Sequence, residues 1–308
     1  MSKYKNYLIV GGAGQDAHFL TELLLKKKSK IYLLINNKVP KITKNKNIIS
    51  VKKINILSSE QVKNYLNKFK QLTIFFLASY NISTTEKETS KVLKKNILIN
   101  VNGLINFLEY ISNYNKKMKL FYASSSHIYN NTKTKSQNEN TIPNFNSNYG
   151  LTKYLGKEIC DFYRQKKNVY CSTGILYSHV SKLSSKKFLI NGLLSSIKKN
   201  KKKIKVKNLN TLLDIISSKD AVKAMYKIMQ LKKPGNFIIS SNKLLPVSKV
   251  IDTLKSLLNL KNLKIHNLAR KSKRNETILK GNNSKILNNT NWKPQDNLTK
   301  ILKSFLTK

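Results

Sequence analysis

The 308-residue sequence predicts an α/β fold: a doubly wound parallel sheet followed by a smaller C-terminal α/β unit. Two observations predict this class. Short apolar runs of strand length alternate with helical stretches from the N-terminus to the middle of the chain, as in parallel sheets covered by helices on both faces. A glycine-rich turn also joins the first apolar run to the first helix, which is typical of such sheets.

The N-terminal elements are a strand, a turn, a helix and a second strand. Apolar residues fill 7–10, follow helical spacing over 19–25 and fill 31–35. The turn is Gly11-Gly12-Ala13-Gly14-Gln15-Asp16-Ala17. Backbone N–H groups at such a turn face a pyrophosphate; Gly11 and Gly14 permit close approach, and the small Ala17 lets the helix pack on the strand. The segment predicts a Rossmann-type domain that binds a nicotinamide dinucleotide.

Further strands are predicted at 48–51, 72–77, 120–123 and 169–176, with helices at 59–69, 92–112 and 149–166. After about Ser178 the pattern loosens, into helices at 188–199, 218–230 and 298–306 and short strands at 214–216 and 236–240. We expect an NAD(P)-binding domain over 1–177 and a mainly substrate-binding region over 178–308. Segments around 209–230 are expected to return to the first domain.

The residues after the second strand bear on the choice of cofactor. A carboxylate at this place would bind the adenosine ribose hydroxyls of NAD. The sequence has Asn36-Asn37-Lys38 here, with no acid. Lys38 and the asparagine amides could accept a 2′-phosphate, so NADP is favoured and NAD stays possible.

A serine run, a tyrosine and a lysine form a candidate catalytic set. Tyr149 and Lys153 lie four residues apart, hence on one face of a predicted helix. A nearby ammonium lowers the pKa of a phenol, so this pair can exchange a proton with a substrate hydroxyl. The run Ser124-Ser125-Ser126 ends a predicted strand and could hydrogen-bond the same oxygen. In so lysine-rich a chain a Tyr and a Lys four residues apart are expected by chance. A chance occurrence together with the glycine turn and the serine run is much less expected.

At this point the chain resembles the extended short-chain dehydrogenase/reductases, or NAD-dependent epimerase/dehydratase family. It is most similar to the branch of GDP-mannose 4,6-dehydratases. The matching segments cover nearly the whole chain in order: Gly14-Gln15-Asp16, Ala123-Ser124-Ser125-Ser126-His127-Ile128-Tyr129, Tyr149 with Lys153, Gly174-Ile175-Leu176-Tyr177-Ser178-His179, and Asn291-Trp292-Lys293-Pro294.

The resemblance implies roles for individual residues. The catalytic residues would be Ser125, His127, Tyr149 and Lys153. The cofactor would be held by Gly11, Gly14, Gln15, Asp16, Asn37, Lys38, Asn55, Ile56, Leu77, Ala78, Ser79, Tyr149, Lys153 and His179. The substrate, a nucleotide-diphosphate hexose such as GDP-mannose, would contact Ser125, Asn208, Arg274 and Glu276. No metal is implied. The activity would be 4,6-dehydration, by transient oxidation at C4, loss of water and return of hydride from bound NADP(H).

Three departures from the family pattern leave alternatives open. His127 stands where the family has the glutamate that moves the C5 proton. An imidazole could do this near neutral pH, or could merely pack in an enzyme that eliminates no water. Leu183 and Ser184 replace an arginine pair, and the asparagines after the second strand replace another. A nucleotide-sugar 4-epimerase or 4-ketosugar reductase is therefore the alternative function.

The charge raises a third possibility, a non-catalytic dinucleotide- or RNA-binding protein. The 59 Lys and Arg against 14 Asp and Glu give a net charge of +45, which attracts polyanions. The lysines are spread along the chain and accompany abundant Asn and Ile, the residues of A/T-rich codons. Codon composition thus explains the charge, and we expect no specific nucleic-acid partner.

The remaining expectations concern location and assembly. No apolar run approaches the roughly 20 residues of a membrane-spanning helix, and the N-terminus lacks a signal-peptide core. Only two cysteines occur, Cys160 and Cys171, so no disulfide framework is expected. We expect a cytoplasmic protein without membrane contact. The resemblance implies a homodimer or higher homo-oligomer, formed through the helix that carries Tyr149 and the helix before it.

Overall fold

The computed structural model describes residues 5–37, 39–40, 42, 48–81, 88–130, 132–200, 202–268 and 278–307. Its strands are β1 (Asn6–Val10), β2 (Lys30–Ile35), β3 (Ile48–Lys53), β4 (Thr73–Phe76), β5 (Lys119–Ser125), β6 (Cys171–Leu176), β7 (Ser178–Val180), β8 (Lys203–Val206), β9 (Leu212–Ser217), β10 (Asn236–Ile239), β11 (Leu244–Pro246) and β12 (Lys264–Asn267). Its α-helices are α1 (Gln15–Lys26), α2 (Ser59–Leu66), α3 (Ser90–Ile97), α4 (Gly103–Tyr114), α5 (Asn148–Lys166), α6 (Leu189–Lys199), α7 (Ser218–Ile228), α8 (Val247–Leu257), α9 (Ser284–Asn289) and α10 (Leu298–Leu306).

Seven parallel strands form the central sheet, in the order β10-β6-β5-β4-β1-β2-β3. The chain runs outward from β1 in one direction as far as β3 and then returns to build the other half from β4. The switch between β1 and β4 opens a crevice at the carboxyl ends of these strands, where α/β sheets bind ligands. The doubly wound Rossmann-type prediction is confirmed.

Two apolar cores cover the two faces of this sheet. Successive side chains of a strand point to opposite faces, so Ile9 enters one core and Leu8 the other. The Ile9 core includes Leu20 of α1 and Met225 of α7, and the Leu8 core includes Phe107 of α4. Because both faces are buried, the strands read as continuous apolar runs in the sequence, which is why they could be predicted.

Segments on both sides of the expected boundary at residue 177 build the central layer. β10 pairs with β6 in the seven-stranded sheet. α7, within the expected return at 209–230, packs against α1. Trp292 is buried in the same core and donates its indole N–H to the Asp220 carbonyl at 2.9 Å. The N-terminal domain is thus completed by residues from the second half of the chain.

The second unit has its own core between two small sheets and three helices. Strands β11, β9 and β7 form one sheet, and β12 pairs with β8 in the other. Side chains of α6, α8 and α10 fill the core between them, among them Leu193, Val250 and Ile301. Buried Asp214 of β9 accepts hydrogen bonds from the Ser241 N–H at 2.7 Å and the Gly281 N–H at 3.0 Å. This carboxylate fixes two loops to the unit.

Three further observations complete the fold. The helix predicted over 92–112 is observed as α3, a π-helical turn at Leu98–Asn102, and α4. Within the described ranges, no helix combines the length and the apolar character that crossing a bilayer requires. Both cysteines are buried thiols without a disulfide.

Candidate active site

The glycine turn lies at the switch point of the sheet. Gly11 has a φ of +87°, and a Cβ there would lie 2.7 Å from the Ala78 nitrogen, so only glycine fits. The N–H groups of Gly11 and Gly12 both donate to the Leu34 carbonyl, at 3.0 and 2.8 Å. Gly14 precedes α1, and no side chain caps the helix there. The first N–H groups of α1 therefore suit an anion.

A cavity of about 800 Å³ runs along the carboxyl ends of β1 to β4. Predicted cofactor residues line it: Gly11, Gly14, Asn37, Asn55, Ile56, Leu77, Ala78 and Ser79. At Gly14 an added Cβ would touch only the Gly11 carbonyl oxygen, at 3.4 Å, so the protein leaves this side open. The open glycine, the uncapped helix and the size of the cavity fit the adenosine and pyrophosphate of a dinucleotide.

An ion pair joins the glycine turn to the second unit. The His179 Nε2 lies 2.9 Å from Asp16 Oδ2, and its Nδ1 lies 2.9 Å from the Tyr177 carbonyl oxygen. Beside this pair, the Ser181 hydroxyl donates to Gln15 Oε1 at 2.7 Å. Both ring nitrogens of His179 face acceptors, so the ring is held as imidazolium.

The pKa values of the pair agree with this assignment. Burial alone would lower the pKa of His179, but the charge of Asp16 and two hydrogen bonds outweigh burial and raise it to about 9. Burial alone would raise the pKa of Asp16, and the imidazolium instead holds it below its ordinary value. Predicted cofactor residues Gln15, Asp16 and His179 therefore form one charged cluster at the start of α1.

A second cavity, of about 340 Å³, brings together three of the four predicted catalytic residues, and Lys153 does not line it. Ser125 at the end of β5, His127 in the following turn and Tyr149 at the start of α5 all line it. The rings of His127 and Tyr149 meet edge to face, with centroids 5.4 Å apart. A Cβ on Gly150 would lie 2.7 Å from the His127 carbonyl oxygen, so this glycine lets α5 begin directly against the turn.

The tyrosine and the lysine depart from the sequence-based expectation. Lys153 is 2% exposed; its Nζ donates to the Ala123 carbonyl at 2.8 Å and lies 5.6 Å from the centroid of the Tyr149 ring. Burial lowers the pKa of Lys153 to about 7, against the attraction of Asp16. Burial also raises the pKa of Tyr149 to about 12, although the hydroxyls of Ser79 and Ser125 oppose the shift.

The expected lowering of the Tyr149 pKa by Lys153 is therefore wrong. A buried lysine whose own pKa is near 7 is a weak source of positive charge at neutral pH, and burial of the phenol outweighs it. Tyr149 is therefore a protonated phenol and a hydrogen-bond donor.

His127 is a neutral imidazole in this cavity. Burial lowers its pKa below the ordinary value, and the carboxylate of Glu88 only partly offsets this. Its Nδ1 lies 3.1 Å from Asn130 Nδ2. With the amide NH₂ facing Nδ1, the ring proton sits on Nε2. Asn130 thus sets the tautomer of this ring, and the opposite orientation of its amide would favour the other tautomer.

A buried asparagine that the sequence analysis missed ties the two cavities together. Asn100, in the π-helical turn between α3 and α4, accepts from the Ser79 hydroxyl at 3.1 Å and the Tyr80 N–H at 2.8 Å. Its amide donates to Tyr80 O at 3.2 Å and to Thr152 Oγ1 at 3.1 Å. The end of β4 is thereby fixed to α5. The signal available in the sequence was a second asparagine, Asn96, one helical turn earlier. The structure shows that both asparagines are buried.

Some predicted residues are not brought to either cavity. Asn208 accepts a hydrogen bond from the Asn210 N–H at 2.9 Å and is not among the residues that line the cavities. Lys38, Arg274 and Glu276 lie outside the described residues. Among the residues that are described, no group of three His, Cys, Asp or Glu could hold a metal ion.

Comparison with known proteins identifies relatives along the whole chain. The family model for GDP-mannose 4,6 dehydratase matches residues 8–305. GDP-mannose 4,6 dehydratase 1 of Arabidopsis thaliana is 24% identical, over 97% of this chain and 88% of the relative. GDP-mannose 4,6 dehydratase of Homo sapiens is 24% identical, over 84% of this chain and 74% of the relative.

Solved structures share the fold. UDP-glucose 4-epimerase of Thermotoga maritima, solved with UDP-glucose, superposes with a TM-score of 0.84 at 17% identity, covering 98% of this chain and 97% of that one. dTDP-glucose 4,6-dehydratase of Bacillus anthracis, solved with NAD, has a TM-score of 0.81 at 19% identity and covers 98% and 95%. The predicted family and enzyme class are confirmed: the chain belongs to the GDP-mannose 4,6-dehydratase family.

Proposed function

We propose that this protein catalyses the 4,6-dehydration of a nucleotide-diphosphate hexose, GDP-mannose, with NADP as a cofactor regenerated in each cycle. The supporting observation is the second cavity, where Ser125, His127 and Tyr149 converge beside the charged cluster at the start of α1. The first cavity, at the glycine turn, would take the adenosine half of NADP. Bound NADP supplies the transient oxidation at C4 and the later reduction at C6.

Tyr149 and Ser125 act on the C4 hydroxyl. Ser125 hydrogen-bonds the oxygen, and Tyr149 takes its proton as the phenolate. Because the resting phenol has a pKa of about 12, it needs a cation beside it before it can serve as a base. Lys153 carries a proton below about pH 7 and lies against the Tyr149 ring. Its protonated fraction, which grows as pH falls through about 7, supplies the charge that activates Tyr149.

His127 then moves the C5 proton. In the elimination the C5–H bond and the C6–O bond break, a C5=C6 bond forms, and the C6 hydroxyl leaves as water with one proton. In the neutral tautomer with its proton on Nδ1, the imidazole can take the C5 proton at the bare Nε2 and give it to the leaving hydroxyl. The Asn130 amide can serve both tautomers, since its NH₂ donates to a bare Nδ1 and its oxygen accepts from Nδ1–H.

The proposal is tested by product analysis with GDP-mannose in D₂O. Dehydration yields a 4-keto-6-deoxy sugar with deuterium at C5, because the C5 proton exchanges with solvent during elimination. No such product under any cofactor condition would refute the proposal. A C4 epimer without deuterium at C5 would identify the alternative 4-epimerase, and reduction of a supplied 4-keto sugar nucleotide by NADPH would identify the alternative 4-ketosugar reductase. Absent activity with RNA retained at high salt would identify the non-catalytic binding protein.

Replacement of His127 separates the two enzymatic functions further. His127→Ala should abolish dehydration, whereas an epimerase should largely survive it. His266→Ala is the matched control, because His266 is exposed on β12 and lines neither cavity. Both variants should bind NADPH as the wild type does. Dehydration that persists in His127→Ala would remove this residue from the mechanism.

We also propose a cytoplasmic homodimer formed through α4 and α5. Large apolar side chains are exposed on these helices, namely Tyr114, Leu155 and Phe162. Their burial against a second copy would remove apolar surface from water. Phe162→Asp should give a monomer by light scattering, whereas Leu287→Asp, at an exposed leucine on α9, should not. An unchanged mass for Phe162→Asp would refute this interface.

A further inference from the structure

We propose that Lys53 selects NADP over NAD, by holding the 2′-phosphate of the adenosine ribose. This inference rests on the nicotinamide cofactor of the proposed function. Lys53 lines the first cavity and is the last residue of β3. It takes the place of the arginine pair that is missing after the second strand.

The register of the sheet puts Lys53 beside the residues that follow β2. Its Cα partner across the parallel ladder is Ile35, the last residue of β2. The next residue of the chain, Asn36, lines the same cavity. In Rossmann-type folds the residues after β2 meet the adenosine ribose, so Lys53 stands one strand away from the 2′ position.

The side chain of Lys53 lies on the same face of the sheet as the glycine turn. Paired residues of a parallel ladder project to the same face, so Lys53 follows Ile35. Ile35 packs under the turn, because a Cβ on Gly12 would lie 3.3 Å from Ile35 Cγ2. The neighbouring Lys52 projects to the opposite face and does not line the cavity.

The charge of the lining favours a phosphate. Of the described residues that line the first cavity, Lys53 is the one that carries a charge, and none is a carboxylate. A carboxylate would hold the 2′-hydroxyl of NAD and repel a 2′-phosphate. Lys53 is exposed and forms no hydrogen bond or ion pair within the described part of the chain. Its ammonium is therefore available to a dianion, and the amides of Asn36 and Asn37 can add N–H donors.

Equilibrium binding of NADPH and NADH to the full chain tests this assignment, without any nucleotide sugar. The wild type should bind NADPH more tightly. Lys53→Ala should weaken NADPH binding about tenfold, the effect of one exposed charge-assisted hydrogen bond, and leave NADH binding unchanged. Lys53→Glu should bind NADH more tightly than NADPH. Lys52→Ala, the matched control from the other face of β3, should change neither affinity by more than about twofold.

Salt gives a second readout. The preference of the wild type for NADPH should shrink as ionic strength rises, because salt screens an exposed ammonium and a phosphate. The inference is overturned if the wild type prefers NADH, if Lys53→Ala keeps its NADPH affinity, or if both affinities fall equally. Failure of the dehydratase proposal would look different: NADPH selectivity would depend on Lys53 while GDP-mannose remained unconverted.

Discussion

Substitution by alanine should affect a different property at each of two glycines of the phosphate-binding turn: stability at Gly11 and cofactor binding at Gly14. Gly11→Ala places a methyl group against the Ala78 backbone at a left-handed φ. Gly14→Ala places it at an ordinary φ of −76°, where it meets a single carbonyl oxygen at van der Waals distance. The protein requires glycine at the first position. We predict that the bound pyrophosphate requires it at the second.

The magnitudes follow from these contacts. A left-handed φ costs a non-glycine residue about 1–2 kcal/mol, and a methyl forced into a filled site costs about 1–3 kcal/mol. Gly11→Ala should therefore lower the free energy of unfolding by about 2–5 kcal/mol. Gly14→Ala should change it by less than about 1 kcal/mol. The loss of one charge-assisted hydrogen bond to the pyrophosphate, about 1.5–3 kcal/mol, should weaken NADPH binding about 10- to 150-fold.

Urea unfolding followed by circular dichroism measures the first quantity, and NADPH fluorescence titration measures the second. Gly235→Ala is a control, because its added Cβ would meet only side-chain atoms, the nearest at 3.5 Å. If Gly14→Ala unfolded as early as Gly11→Ala, the second glycine would be structural. If it bound NADPH like the wild type, the turn would not hold the cofactor.

Three further substitutions test the charges and contacts of the site. His179→Gln removes the partner of Asp16. The pKa of His179 in the folded protein, about 9, lies above the ordinary 6.5, so the ion pair stabilises the fold by about 3 kcal/mol. In urea unfolding the variant should lose all of this stability below pH 6.5, and the difference from the wild type should vanish as pH rises through 9. Lys153→Met should abolish dehydration yet stabilise the ligand-free protein at pH 6. That gain should shrink between pH 7 and 10.5 in thermal unfolding. In this range folding must remove a proton from Lys153, and the cost of removing it falls to zero as pH approaches the ordinary pKa of 10.5. Gly150→Ala should displace α5 from the His127 carbonyl and lower kcat at least about tenfold, whereas an unchanged kcat would show that this contact does not position Tyr149.

Strands β4, β6 and β10 could be predicted because they are buried on both faces. Residues 72–77 and 169–176 predicted β4 and β6, and 236–240 predicted β10. β7, β8, β11 and β12 were not predicted, since they are short and none of them is buried on both faces. β8 also alternates lysine with apolar residues, and because lysine is abundant along the whole chain this alternation does not mark a strand. Its exposed and buried faces become distinct only after the second unit has assembled.

The parts of the site that depend on residues close in the sequence could be predicted, and the contacts between residues far apart in the sequence could not. The glycine turn and the pair Tyr149 and Lys153 follow from short motifs. The structure places the turn at the first cavity and Tyr149 at the second, with Lys153 Nζ 5.6 Å from the centroid of the Tyr149 ring. The Asn100 network joins residues that are 20 to 52 positions apart, and asparagine is too common here to attract attention. The pKa of Tyr149 depends on burial in the assembled fold, which no spacing encodes.

β10 is synthesised well after β6, the strand with which it pairs, and this order affects folding during translation. When residues 1–177 have left the ribosome, β6 is still an edge strand with unpaired backbone groups, and the apolar face of α1 lacks α7. Such an edge can pair with another nascent chain. Closure of the sheet waits for about sixty more residues, a long-range step that slows folding. Fragments ending near residue 177 should therefore aggregate, and chaperones should matter most during synthesis of the second half.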